Sequence, residues 1–256
     1  MLTSFFMAFS LYSRIPVPQT EWNEKSMRWC ICFLPAVGAA IGAAQGLLYW
    51  LLAHLSVGAV FRGAAFTALP VLLSGGIHLD GFLDTCDAIH SYGTREKRLE
   101  ILKDPRVGAF AVIGGLVWFT LQLGVWSEAQ NQTIVPLCIT FALSRALSAF
   151  SALIFPKAKK DGMLRQETDP AAKSSAAAMA AVSLALAAVM IYTGGLPGAA
   201  AVLASVLTLA FYYRMAVTIF GGTTGDLSGW FTQLCELVTG GAIVVTAAIL
   251  RCKILP

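Results

Sequence analysis

The amino-acid sequence predicts an all-α, polytopic integral membrane protein, a single domain over 1–256 with about seven transmembrane helices and an active site at the cytoplasmic face. Three observations carry this expectation. Of 256 residues, 57% are hydrophobic and 12% charged, against roughly 25% charged in an average soluble domain. Several uninterrupted runs reach the length of about 20 apolar residues that a bilayer-crossing helix needs. Lysine and arginine, finally, crowd into the stretches between alternate runs. The mean hydropathy of +0.72 also excludes a disordered chain, which needs low hydrophobicity and high net charge. Six scattered cysteines are too few for a small disulfide scaffold.

Residues 2–13 are apolar but too short to span, and are expected to lie in the membrane interface or re-enter it. They lack the basic leader and small-residue cleavage site of a signal peptide. Spans are expected at roughly 27–54, 56–76, 107–127, 133–155, 175–195, 197–220 and 229–250. The fifth and sixth are parted only by Gly194-Gly195-Leu196-Pro197, a strong helix-ending signal. Read as one helix, they would reduce the count to six.

Seven crossings put 1–26, 77–106, 156–174 and 221–228 on one side. Counting Lys25 and Arg28 at the helix edge, that side holds 13 of the 18 basic residues, among them Lys159, Lys160 and Arg165. Only Arg251 and Lys253 lie opposite, while Arg62, Arg145 and Arg214 fall inside spans. By the positive-inside rule the basic side is cytoplasmic. The net charge of +4 therefore reads as topology, with no nucleic acid among the expected partners. The lone sequon at Asn131 is too short to imply a glycan.

The segment 75–110, GGIHLDGFLDTCDAIHSYGTREKRLEILKDPRVGAF, follows the second span. On a helix turning about 100° per residue, Asp80, Asp84 and Asp87 point within about 60° of one another and share a face. Three carboxylates so placed repel unless a cation sits among them. Oxygen donors suit a hard divalent ion, and Mg²⁺ typically takes one or two carboxylates together with substrate phosphates. A phosphate-bearing substrate is thus expected. The plainer alternative is a solvated polar face, but carboxylates at a membrane boundary are costly and are kept chiefly for function. His78 is a candidate general base, against the common fate of a hydrogen-bonded structural histidine.

Residues 95–100 read as a solvated charged helix. Pro105 ends that helix and leaves Asp104 and Arg106 at the entrance to the next span, as one more metal ligand and one phosphate clamp. A second element, Gly221-Gly222-Thr223-Thr224-Gly225-Asp226, precedes the last span. Its glycines and hydroxyls suit an anion cradle, and Asp226 suits the metal. The plainer alternative is a flexible turn between spans, against which Asp226 and the ladder on the same membrane face both weigh. Arg145 and Glu236 lie deep in apolar runs and need partners or water.

Taken together, SRIPVP (13–18), GGIHLDGFLDTCDA (75–88), ILKDPRVGAFA (101–111), Asp161-Gly162 and GGTTGD (221–226) followed by Glu236 resemble the cobalamin synthase family, the adenosylcobinamide-GDP ribazoletransferases. The resemblance spans nearly the whole chain. It departs from the family's habit at Ala88, at Ser228-Gly229-Trp230 and at Gln233. What it implies is a Mg²⁺-dependent phosphotransfer at the cytoplasmic face of the cell membrane. Adenosylcobinamide-GDP and α-ribazole, or α-ribazole 5′-phosphate, would be joined with release of GMP. On this resemblance Asp80, Asp84 and Asp87 become metal ligands, with Asp104 and Asp226 completing the set. Arg14, Arg106 and Arg145 become phosphate or nucleotide contacts beside the 221–225 cradle, and Asp84 or His78 the proton acceptor.

Two other kinds of membrane protein use similar residues. A CDP-alcohol phosphotransferase also mounts aspartates on membrane helices around metal ions, but its Ala-Arg step is absent here. A transporter predicts charges distributed through several spans and an inverted repeat, whereas these acids concentrate on one face. Besides its substrates and the lipid bilayer, a second copy of the chain, as a homo-oligomer, is among the partners the favoured reading admits.

Overall fold

The computed structural model describes residues 1–20, 24–158, 164, 168 and 173–254. The Asp161-Gly162 pair and the basic residues Lys159, Lys160 and Arg165 lie outside the described residues. Everything regular among them is helical: α1 (Leu2–Tyr12), α2 (Glu24–Cys30) running through a 3₁₀ turn into α3 (Leu34–Ala53), α4 (Ala59–Ser74), α5 (Ile77–His90), α6 (Arg95–Ile101), α7 (Ala109–Ser127), α8 (Ile134–Ile154), α9 (Lys173–Met215) and α10 (Gly225–Ile254). The fold is an all-α membrane bundle, as its composition requires. Large apolar side chains such as Leu72, Leu116, Leu184 and Tyr192 stand outward, where lipid rather than water is their natural surroundings.

Among the described residues, five helices are long and apolar enough to cross a membrane: Ser26–Ala53, Ala109–Ser127, Ile134–Ile154, Ser174–Phe220 and Gly225–Cys252. The second expected span departs from its prediction. Only 16 residues of it form α4, about 24 Å at 1.5 Å per residue, short of a hydrocarbon core of about 30 Å. The chain then bends by 98° into α5, and the two together make the sixth candidate. The cause is a pair of left-handed residues, Gly75 (φ 68°) and Gly76 (φ 81°), whose N–H groups close α4 on the carbonyls of Leu72 and Val71. This break starts the acidic ladder on a helix of its own.

α9 has 43 residues, about 65 Å if straight and twice a bilayer. It is folded double at Gly195 (φ 56°, ψ −130°). A Cβ on Gly198 would fall 2.1 Å from the Met190 carbonyl oxygen, a contact impossible eight residues along a straight helix. The Gly194 to Pro197 signal thus acts as a turn between antiparallel arms.

The α3–α8 seam rests on small residues. Cβ atoms on Gly38 and Gly42 would lie 2.1 and 2.4 Å from the carbonyl oxygens of Phe141 and Cys138, the close backbone approach of a Gly-xxx-Gly face. Gly42→Leu is expected to pry these helices apart and to remove the folded, monodisperse species from detergent. Size-exclusion chromatography checks this, and a normal elution profile would show that the seam yields. Deep between α8 and α10, Arg145 Nη1 lies 2.5 Å from Glu236 Oε1. Ser144 Oγ donates to the same oxygen at 3.2 Å, and Nη1 also donates to the Phe141 carbonyl at 3.0 Å. The two charges that needed partners have each other.

Candidate functional site

The acidic ladder and the 221–226 turn meet where α5 crosses the start of α10. The contact is backbone to backbone. A Cβ on Gly81 would be 2.8 Å from the Asp226 Cα, and one on Gly229 would be 2.9 Å from the His78 carbonyl oxygen. Only glycine at both positions lets the helices close to this distance, which sets Asp80 and Asp226 on one wall.

That wall faces a cavity of about 170 Å³. Asp80, His78 and Gly81 come from α5, Gly225, Asp226, Ser228 and Gly229 from α10, and Ser148 and Ala152 from α8. Tyr12, Ile31, Leu34, Ile77 and Leu164 complete it. His78 is buried, and its Nδ1 has no hydrogen-bond partner among the described residues. Its ring stacks on Tyr12 with centroids 6.2 Å apart and planes 20° from parallel. A buried polar atom left unpaired at a cavity wall is what a ligand group can satisfy.

The three ladder aspartates share a face but have different surroundings. Asp80 is exposed to the cavity, and Asp84, half-buried one turn on, is within electrostatic reach of Asp80, Asp226 and Asp87. Asp87 is engaged elsewhere: its two carboxylate oxygens accept the N–H groups of Gly108 (2.7 Å) and Ala111 (2.8 Å). It caps the N-terminus of α7 from a neighbouring helix, satisfying donors that the helix itself leaves orphaned. A Cβ at Gly108 would sit 2.6 Å from that carboxylate, so the glycine of the DPRVG stretch is there to admit it. Among the described residues no three His, Cys, Asp or Glu side chains converge to hold a metal ion as they stand. Asp80 and Asp226, from two motifs on one wall, are the oxygen donors best placed to share one.

Other residues expected at the site are placed differently. Asp104 and Arg106 pair with each other: Arg106 donates through its backbone N–H (3.0 Å), Nε (2.9 Å) and Nη2 (2.6 Å). This exposed guanidinium holds the Asp104 carboxyl down, to about 2. Both line a separate surface hollow with Lys97, Lys103 and Pro105, because Pro105 turns them away from α5. Arg145, bound to Glu236, does not line the cavity. Arg14 is exposed and lies along Gly75 at the α4–α5 break, its backbone N–H donating to Leu73 at 2.7 Å.

The 221–225 turn is also less open than an anion cradle. The N–H groups of Gly221, Gly222 and Thr223 are bonded to the carbonyls of Val217, Ala216 and Pro156. Thr223 is buried against the Tyr212 hydroxyl. Thr224 caps α10, its Oγ1 accepting the Leu227 N–H at 3.2 Å. Of the turn's glycines only Gly225 borders the cavity. Arg95, read from the sequence as one charge of a solvated helix, lies over Gly221 and donates to the Ala158 carbonyl at 3.3 Å. It thereby ties α6 to this turn.

Sequence reasoning missed Gly81, Gly229, Tyr12 and Ser148. The signal for the first two was present, a glycine next to Asp80 and another three residues after Asp226, on helices that had to meet.

A family model described as Cobalamin-5-phosphate synthase matches residues 4–244. The chain belongs to the cobalamin-5-phosphate synthase family. Among its relatives, an adenosylcobinamide-GDP ribazoletransferase of Lachnoclostridium phytofermentans is 40% identical over 97% of this chain and 96% of its own length. Those of Geobacillus kaustophilus and Clostridium botulinum (strain Alaska E43) are 32% and 28% identical, each over 93% of this chain and 94% and 95% of their own. No solved structure matches the chain. Family membership covers every element that builds the cavity, from Tyr12 to Gly229, so the site is assembled within the matched region.

Proposed function

We propose that this protein joins adenosylcobinamide-GDP to α-ribazole, or to α-ribazole 5′-phosphate, releasing GMP. Adenosylcobalamin or its 5′-phosphate is the product. The observation that carries the reading is the cavity in which Asp80 of the ladder and Asp226 of the second motif share a wall, in a chain of this family. In the reaction a ribose hydroxyl of the acceptor attacks the phosphorus joined to the corrinoid. A new P–O bond forms, the bond to the bridging oxygen breaks, and GMP departs with the electron pair.

The chain's own groups divide the work. Asp80 and Asp226, with Asp84 behind them, would hold Mg²⁺, for which paired carboxylates and diphosphate oxygens are the usual donors. Bound there, the ion supplies charge neutralisation for the diphosphate. Asp84 or His78 accepts the hydroxyl proton, and His78 is favoured because it lines the cavity and its Nδ1 has no partner among the described residues. Ser148 and Ser228 line the cavity, but their hydroxyls donate within the fold, to the carbonyls of Ser228 and Thr224, and so shape the wall.

The setting follows from charge. We place the cavity at the cytoplasmic face of the cell membrane, with the two arms of α9 crossing separately for seven crossings, because the basic loops then lie on one side. The test is incubation of the detergent-solubilised protein with adenosylcobinamide-GDP and α-ribazole, followed by chromatography for GMP. GMP and cobamide are expected in equal amounts. They are expected to fall to background with EDTA and to return with excess Mg²⁺. Product formation indifferent to EDTA rejects the metal, and no GMP at all rejects the function.

A further inference from the structure

Resting on that reading, we infer that the apolar side of the cavity seats the acceptor's planar aromatic base, and that Tyr12, Ile31, Leu34 and Ala152 set which base is accepted. The cavity has two unlike sides. Ile31, Leu34 and Ala152 belong to a hydrophobic cluster separate from the main core, with Tyr12 and Leu164 packed against it, and the described residues on this side carry no charge. Asp80, Asp226 and Ser228 form the other side, where α5 meets α10.

Size selects the occupant. About 170 Å³ is a little more than the roughly 150 Å³ apolar cavity that holds one benzene ring, room for one small planar base with its ribose at the open, Asp80 side. It is far too small for a corrin macrocycle, and an apolar wall is a poor surface for the donor's guanine, whose amide and amino groups would lose their hydrogen bonds to water there. A neutral two-ring base fits this chemistry. The stacked rings of Tyr12 and His78 add a flat aromatic surface, against which another ring packs favourably. With the base on the apolar side, its ribose lies toward Asp80 and Asp226. His78, whose buried Nδ1 has no hydrogen-bond partner among the described residues, borders the same cavity.

Steady-state kinetics in detergent, with KM measured separately for each substrate, test this. Tyr12→Leu and Ala152→Leu are expected to raise KM for α-ribazole by about tenfold or more, leaving KM for adenosylcobinamide-GDP within about twofold. The unmodified protein, offered the riboside of benzimidazole without its two methyl groups, is expected to lose about tenfold in kcat/KM. That series decides the matter even where a variant does not fold. A shift confined to the donor's KM, or equal in both, overturns this inference and leaves the proposed function standing, as does a flat response to the base. Absence of GMP from the unmodified protein with its natural pair overturns both.

Discussion

Asp80→Asn and Asp226→Asn are each expected to reduce product formation by about 100-fold or more, with the unfolding midpoint in detergent within about 2 °C of the parent. The substitution keeps the volume and one acceptor oxygen and removes the charge. Asp80 is exposed to the cavity, so its charge does no packing work. Asp226 lies at the first turn of α10, where Thr224 Oγ1 donates to it at 3.4 Å, a contact that asparagine retains. Asp84→Asn is expected to show the same loss of turnover. Asp87 supplies the contrast. Asp87→Ala removes the acceptor for Gly108 and Ala111, and losing a cap of this kind costs about 1–2 kcal/mol. A lowered midpoint of about 4 °C is therefore expected, with activity falling in step with the folded fraction. Initial rates of GMP release beside thermal melts separate the two patterns. Full turnover in both Asp80→Asn and Asp226→Asn would detach the cavity from the reaction.

The difference between Asp80 and Asp87 shows where sequence reasoning reaches its limit. Spacing along α5 put Asp80, Asp84 and Asp87 on one helix face, and they are on one face. What spacing cannot reveal is which neighbouring helix each carboxylate meets. Asp87 meets the start of α7 because the 91–108 connection returns there, and a tertiary cap leaves no local pattern in the chain. Asp104 and Arg106 went astray for a related reason: two residues apart around a proline, they satisfy each other before either can reach the cavity. The 221–225 turn contained the glycines of a phosphate loop, but its N–H groups are consumed by Ala216, Val217 and Pro156. Composition alone says nothing of such pairing.

The helices were legible for the opposite reason. Long apolar runs have one stable outcome in lipid, where every backbone group must be bonded within its own segment. The runs at 107–127, 133–155 and 229–250 recur as α7, α8 and α10 within a few residues. The run at 56–76 failed at its end, because Gly75 and Gly76 ended α4 and redirected the chain, a choice between a helix with flexible residues and a helix that stops. The glycines at 38 and 42, unremarkable within an apolar run, decide how closely α3 approaches α8.

Glu236→Gln is expected to destabilise the bundle by about 3–5 kcal/mol, the usual cost of leaving one member of a buried pair charged and alone. Arg145 is 1% exposed, and its guanidinium has Glu236, with the Phe141 carbonyl, as partners. No water in the hydrocarbon region replaces a lost carboxylate. The double variant Arg145→Met, Glu236→Leu is expected to recover most or all of that loss, because apolar side chains of similar volume often replace a buried ion pair at no net cost. Thermal unfolding in detergent distinguishes these outcomes, and equal stability of Glu236→Gln and the parent would mean that Arg145 finds another partner. The same double variant decides what Arg145 is for. If it folds and keeps the parent's KM for adenosylcobinamide-GDP, Arg145 fastens α8 to α10 and the nucleotide is held elsewhere. If it folds and that KM rises by about tenfold or more, the arginine leaves Glu236 when substrate arrives, and the pair is a resting state of the site.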